Sequence, residues 1–263
     1  MCGITGFSGE FDPLLLSKMN KLLAHRGPDD EGEWLDPVAG IGLANRRLSI
    51  IDTSTDGRQP MTNEDGTLQL VYNGEIYNYK ELRMNLLAKG HRFRSDTDTE
   101  VLVHLYEEEG PDMLTRLNGI FAIALWDASK QRLLIARDGI GVKPLYYSVT
   151  SSGLIFASEL KALLLCPQVS KEIDPVAIHH YLAYLWAPAP RTMLKGILKL
   201  PPGHALLVQR GQVIRKWAYY DLPYDGNQLT GSDDEIVTEL EIRLQEAVHR
   251  QMISDVPIGA MFS

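Results

Sequence analysis

Four short segments rich in β-formers follow one another at residues 121–126, 132–136, 145–149 and 154–157, with only turns between them. So close a series reads as an antiparallel sheet built from hairpins. Helical stretches stand beside it. The pattern over 79–89 puts Leu82, Leu86 and Leu87 on one face and ends at Gly90. A second helix, capped by Asp98 or Thr99, turns Val101, Leu102, Leu105 and Tyr106 inward and stops near Gly110. Residues 14–23 form another, started by Asp12-Pro13. Strands in this number, with few helices, predict an α+β chain of sheets covered by helices.

Other stretches fill in this outline. Residues 3–7 read as a strand anchoring the N-terminus. Residues 38–51 hold strand-like pieces interrupted by Asn45-Arg46-Arg47. A strand over 68–72 ends at Asn73-Gly74, a pair suited to a tight turn. After Cys166 the texture changes: a helix over 174–184, then strands 205–209 and 212–217 joined by Arg210-Gly211. The polar run 221–234 has the composition of a linker. It leads to an amphipathic helix over 235–253 with Ile236, Leu240, Leu244 and Val248 on its inner face, and then to an apolar, strand-like run at 255–263. A helix and one strand make a poor domain, so 213–263 is expected to be a linker and the opening of a larger unit.

Composition narrows the function classes. An apolar fraction of 44% and a charged fraction of 23% suit a globular protein. A formal charge of -8 gives no electrostatic reason to expect nucleic acid or an anionic membrane as partner. No targeting segment or membrane-spanning run is evident, which makes the cytoplasm the expected location. Two cysteines cannot build a disulfide scaffold. Cys166 follows an apolar run and reads as a buried filler. Cys2 can become the first residue once Met1 is removed.

A cysteine at mature position one carries a nucleophile and a base together. The α-amine has a pKa of roughly 7.7–8.0 and the thiol one of about 8.5, so a proton can pass between them near neutral pH. This arrangement suits amide hydrolysis through a thioester. The alternative is a bland cysteine on a first strand. Asn73 and Gly74 can supply two oxyanion donors, an amide side chain and a backbone N–H, or can simply form a turn. Arg47 can clamp a carboxylate. Asp98 can face an ammonium group or cap its helix. The histidines are scattered, with no metal-ligand cluster, and neither a dinucleotide fingerprint nor a Walker loop occurs. No metal site and no cofactor are expected.

Taken in order, MCGITGF at 1–7, HRGPDDEG at 25–32, RLSIID at 47–52, GRQP at 57–60, YNGEIYNYKELR at 72–83, SDTDTE at 95–100, LNGIFAIALWD at 117–127, ARDGIGVKPLYY at 136–147 and SDVPIGA at 254–260 resemble the glutamine-hydrolysing asparagine synthetases. The resemblance runs over essentially the whole chain. It implies a class II glutamine amidotransferase domain over 1–212, with the N-terminal nucleophile (Ntn) hydrolase fold, a four-layer αββα sandwich of two antiparallel sheets. It implies that Cys2 is the nucleophile and that Asn73 and Gly74 form the oxyanion hole. Arg47 then binds the α-carboxylate of glutamine, Asp98 faces its α-ammonium, and Leu48, Ile50 and Glu75 line the same pocket. ATP and Mg are implied only for the synthetase domain, whose phosphate-gripping loop follows SDVPIGA in the family and is expected to be missing here beyond Ser263. A homodimer is compatible with the resemblance. Asn45 stands where such synthetases often have histidine, which bears on loop positioning more than on chemistry. Two rivals are a glutaminase domain serving another ATP-dependent acceptor and a noncatalytic regulatory module.

Overall fold

Long-range pairing, more than local propensity, decides where the strands of this chain begin and end. The structure, a computed structural model, describes residues 1–224, 226 and 230–260. One sheet contains β1 (Gly3–Gly9), β2 (Asp30–Asp36), β3 (Ile41–Arg47), β8 (Tyr146–Thr150), β9 (Gly153–Ala157) and β10 (Leu198–Lys199), in the order β10-β8-β9-β1-β3-β2. The other contains β4 (Met61–Thr62), β5 (Leu68–Ile76), β6 (Gly119–Asp127), β7 (Arg132–Arg137), β11 (His204–Gln209) and β12 (Gln212–Ala218), in the order β12-β11-β7-β6-β5-β4. The pairings are antiparallel, but the series over 121–157 does not build a single sheet: the hairpin β6–β7 belongs to the second sheet and the hairpin β8–β9 to the first. At the β11–β12 turn, Arg210 and Gly211 both take positive φ (49° and 75°), the geometry of a two-residue hairpin loop.

Helices α1 (Leu14–Leu22) and α4 (Leu160–Leu163) cover the outer face of the first sheet through Leu15, Leu16, Met19, Ala162 and Leu163, which pack on Phe7, Ala44 and Ile155. Helices α2 (Tyr79–Ala88) and α3 (Asp98–Glu109) cover the second through Leu82, Leu86, Val101, Leu102 and Leu105. Between the sheets lies a third apolar cluster, with Ile4, Leu43 and Phe156 from one side and Val71, Ala124, Trp126 and Ile135 from the other. The result is helix, sheet, sheet, helix: the expected four-layer α+β sandwich. Helices α5 (Pro175–Tyr184) and α6 (Asp233–Arg250) lie outside it. No helix among the described residues is long and apolar enough to cross a membrane.

Several local expectations need correction. Asn73-Gly74 is not a turn: β5 runs on to Ile76, held extended by pairing with β6 through Asn73↔Ala122, Gly74↔Phe121 and Ile76↔Gly119. Likewise β3 passes unbroken through Asn45, Arg46 and Arg47, because β1 and β2 flank it on both sides. Strand β2 was not expected at all, since only the pairing with β3 makes its charged sequence extended. Neither Asp98 nor Thr99 caps α3. Thr97 does, its side chain accepting from Glu100 N, while the carboxylate of Asp98 is engaged elsewhere. Helix α6 starts with a Ser232/Glu235 capping box, yet it buries none of its residues: Leu240, Leu244 and Val248 are each more than half exposed. The strand-like run at 255–263 forms no strand over 255–260, and 261–263 lie outside the described residues, as do 225 and 227–229 of the expected linker.

Candidate active site

In the β1–β3 register Gly3 lies opposite Arg46. Cys2, one residue earlier, therefore meets the chain where β3 leaves the sheet at Arg47 and Leu48. Leu48 N–H donates to Cys2 Sγ at 3.3 Å, and the thiol faces Leu48 O at 3.6 Å. Arg26 fixes the backbone of Cys2 by donating Nε–H to its carbonyl at 2.9 Å, and is itself paired with Glu159 at 3.0 Å. Burial pushes the Cys2 thiol pKa up. The Leu48 N–H, the terminal ammonium, Lys143 and Arg47 all work to bring it down. The structure carries Met1, so the nitrogen of Cys2 is a peptide amide in it. Met1 itself lies at the mouth of the site and is exposed.

From the second sheet, β5 delivers Asn73, Gly74 and Glu75 to the same place. Asn45 on β3 ties the two sheets together there, donating Nδ2–H to Tyr72 O at 3.2 Å. At Gly74 a Cβ would lie 2.2 Å from Ile120 O, so the close neighbour that requires glycine is the paired strand β6. Asn73 is 1% exposed, and neither its Nδ2 nor its Oδ1 has a hydrogen-bond partner. Buried amides are nearly always satisfied, and leaving one unsatisfied costs about 1–3 kcal/mol.

The loop after β3 is organised by Arg47. Its guanidinium donates to Ser54 O at 2.9 Å, to Ile51 O at 3.2 Å and to Asp52 O. Gly57 is where it is because of this group: a Cβ there would sit 2.0 Å from Arg47 Nη2. Only part of the five-donor fork is left for a ligand. Asp98 opens α3 from a buried position. Its Oδ2 accepts from Tyr72 Oη–H at 2.7 Å and from Ile76 N–H at 2.9 Å. Burial raises its pKa to about 6 in spite of those two bonds. Two residues on, Glu100 accepts from Arg94 N–H, Ser95 N–H and Ser95 Oγ–H at 2.6–2.8 Å, and so anchors the start of α3.

Cys2, Arg47, Leu48, Ile50, Asn73, Gly74, Glu75 and Asp98 line one cavity of about 110 Å³. Six further lining residues carry no pocket role in the sequence reading: Ile51, Gln59, Tyr72, Thr97, Thr99 and Lys143. Gln59 accepts from Tyr72 N–H at 2.7 Å and so steadies β5 just before Asn73. Lys143 is only 7% exposed and lowers the pKa of both the Cys2 thiol and Glu75, although burial raises each overall. The sequence signals for these residues are the motifs RLSIID, GRQP, YNGEIYNYKELR, SDTDTE and ARDGIGVKPLYY, which name no chemistry for them by themselves.

Among the described residues, one group has metal-ligand spacing: His91, His104 and Glu107. It lies outside the cavity. His104 Nδ1 is 2.8 Å from Glu107 Oε2, His91 Nε2 is 2.9 Å from Glu108 Oε1, and Asn63 donates to Glu107 Oε1 at 2.9 Å. The contacts suit an ion-pair network without a metal.

Residues 1–220 match a family model described as a glutamine amidotransferase domain. Asparagine synthetase [glutamine-hydrolyzing] 3 of Bacillus subtilis is 37% identical over 271 residues, covering 100% of this chain and 43% of that protein. Amidase chry2 of Gibberella zeae is 35% identical over 245 residues, covering 92% of this chain and 36% of that protein. The chain therefore spans less than half the length of these relatives. Among solved structures, the glutamine phosphoribosylpyrophosphate amidotransferase of B. subtilis superposes with a TM-score of 0.60 at 19% identity, over 83% of this chain and 49% of that one. That likeness shows the fold, the two-sheet Ntn-hydrolase sandwich.

Proposed function

The chain belongs to the glutamine amidotransferase domain family, and on that premise we propose that it hydrolyses glutamine to glutamate and ammonia with the thiol of Cys2. We further propose that the longer protein uses this ammonia for ATP-dependent conversion of aspartate to asparagine, the reaction of a glutamine-hydrolysing asparagine synthase. The observation that carries the first proposal is the unpaired, buried amide of Asn73 in the cavity that holds Cys2.

In this reading Sγ attacks the side-chain carbonyl carbon of glutamine. The thiol proton goes to the α-amine of Cys2, freed by loss of Met1. Negative charge on the former carbonyl oxygen is held by Asn73 Nδ2–H and Gly74 N–H. Collapse of the adduct breaks the C–N bond, and the ammonium of Cys2 returns its proton to the departing ammonia. Water then hydrolyses the thioester and regenerates the thiol. The remaining guanidinium donors of Arg47 face the α-carboxylate and Asp98 faces the α-ammonium, with Leu48, Ile50 and Glu75 as walls. ATP and Mg have no part in these steps and are assigned to the acceptor half of the longer protein.

The division into a glutaminase unit over 1–212 and a linker with the start of a synthetase domain over 213–263 is proposed with one adjustment. Strand β12 pairs with β11 as far as Ala218, so the unit's edge is drawn after it. The exposed apolar face of α6 supports assigning that helix to the following domain. Similarity to a fungal amidase supports a second reading, in which the same glutaminase serves a different acceptor. Assay of the full-length protein for asparagine, with aspartate and ATP supplied, separates the two.

The direct test of the glutaminase is covalent. A glutamine analogue with an electrophilic tail is expected to add one equivalent at Cys2, with glutamine protecting, as read by peptide mass spectrometry. Labelling of Cys166 instead, or no protection by glutamine, would contradict the assignment.

A second test uses Asp98. Its ionised form has to face the ammonium, so KM for glutamine is expected to rise as pH falls through about 6. In Asp98→Asn the KM should be high at every pH, without that inflection. Stability should move the other way. The folded pKa lies above the reference value of 3.8, so the folded state binds more protons between the two values, and Asp98 contributes less stability as pH rises through that window. The rise to about 6 is what remains of the burial cost after the Tyr72 and Ile76 bonds offset part of it, about 3 kcal/mol at neutral pH, and Asp98→Asn removes at most that much. Denaturant melts at pH 5 and pH 8 check the sign. A variant equally destabilised at both would refute it.

A further inference from the structure

We infer that Asp255 is a positioning residue for the glutamine pocket, acting through the loop that carries Ile50 and frames Arg47. The inference rests on the glutaminase reading above. Helix α6 ends at Arg250, and the chain then turns back onto the body of the protein. Ile253 packs against the apolar cluster under α2 and α3, as does Ile51 from the pocket loop. Asp255 follows, and it holds the loop at two points. Its backbone N–H donates to Ile50 O at 2.9 Å, and its Oδ2 accepts from Asp52 N–H at 2.7 Å.

The segment held in this way is the one whose geometry matters. Ile50 lines the cavity, and Ile51 O and Asp52 O are two of the acceptors that fix the guanidinium of Arg47. Asp52 has φ +52°, a left-handed conformation that a non-glycine residue keeps only where its surroundings impose it. Its carboxylate supplies part of that restraint, accepting from Ser54 N–H at 3.1 Å and Asp96 N–H at 2.9 Å. Its own N–H is taken by Asp255, a residue 203 positions away in sequence. Without that acceptor the left-handed turn loses one of its restraints, and the carbonyls that aim Arg47 are free to shift.

The charge environment decides which variants to use. Asp52 and Asp96 are the nearby carboxylates, and Arg83 pairs with Asp96 at 3.1 Å. Removing the Asp255 charge can therefore relieve repulsion as well as break the bond. Asp255→Asn keeps a side-chain oxygen to accept from Asp52 N–H while losing the charge, and Asp255→Ala loses both.

The experiment compares wild type, Asp255→Asn and Asp255→Ala in the chain as it exists, by steady-state glutamine hydrolysis and by hydrogen exchange of peptides covering 48–55. Asp255→Ala is expected to raise KM for glutamine about 5-fold with kcat nearly unchanged, the size of one net hydrogen bond. Exchange over 48–55 should quicken while the core strands keep wild-type protection, and Asp255→Asn should stay close to wild type in both readouts. Unchanged exchange in the alanine variant overturns the inference, as does faster exchange with an unaltered KM, or an asparagine variant as impaired as the alanine one. If the wild-type chain, shown by intact mass to have lost Met1, releases no glutamate, the glutaminase reading fails, and exchange over 48–55 alone decides whether Asp255 restrains the loop.

Discussion

Cys2→Ala is expected to bring glutamate release down by at least about 10⁴-fold, to the assay background, while the denaturation midpoint stays near that of wild type. The size follows from the chemistry. Without sulfur no thioester forms, and the remaining groups can only polarise the amide toward water, which attacks it far more slowly. The small effect on stability follows from the contacts. Cys2 Sγ gives up one N–H bond from Leu48 at 3.3 Å and a weak contact with Leu48 O, and the cysteine backbone remains fixed by Arg26. Alanine is also small enough to permit Met1 removal, so the variant keeps a free amine and isolates the thiol. Intact mass supplies the control. Wild-type protein that retains Met1 should be inactive, because Met1 ties up the nitrogen of Cys2 and stands at the mouth of the cavity. An active protein still carrying Met1, or a Cys2→Ala variant with wild-type turnover, would sink the mechanism.

How much of this site could be read beforehand depended on how local each signal was. The hairpins β6–β7 and β8–β9, the buried faces of α3 and of α2 (Leu87 excepted, which is 48% exposed) and the Arg210-Gly211 turn were legible because the information lies within a few residues, whereas the placing of the two hairpins in different sheets was not. Asn73-Gly74 misled for the same reason: as a dipeptide it favours a turn, and only β6, more than forty residues later, keeps it extended. Asp98 showed its position at the head of a helix but not its partners. The carboxylate turns away from capping because Tyr72 and Ile76, on a strand of the sheet beneath, offer it better donors. Lys143 and Gln59 were visible as parts of motifs, and their roles emerged only when two sheets met around the cavity. Asp255 stood in the motif SDVPIGA, with nothing in it to point to the partners. Its partners are the backbone atoms of Ile50 and Asp52, and any sequence of similar length can present those.

Asn73→Ala is expected to lower kcat about 10²–10³-fold, or roughly 2.7–4 kcal/mol at the transition state, with little change in KM. The asymmetry is the informative part. A charged oxygen exists only after sulfur has attacked, so a donor placed for it contributes to the transition state and not to the bound substrate. Both polar atoms of Asn73 are buried without a protein partner. Keeping them so costs about 1–3 kcal/mol of folding free energy. Asn73→Ala removes that penalty and opens a small void in exchange, so its denaturation midpoint should lie near wild type or above it. Asn73→Asp should be worse for catalysis than alanine at similar volume, because a carboxylate set against a developing oxyanion repels it. Steady-state kinetics with glutamine and denaturant melts of the three proteins decide the matter. If kcat of the alanine variant falls by less than about threefold, or if KM carries the whole loss, Asn73 holds the substrate amide rather than the oxyanion, and the donor must be sought elsewhere in the cavity.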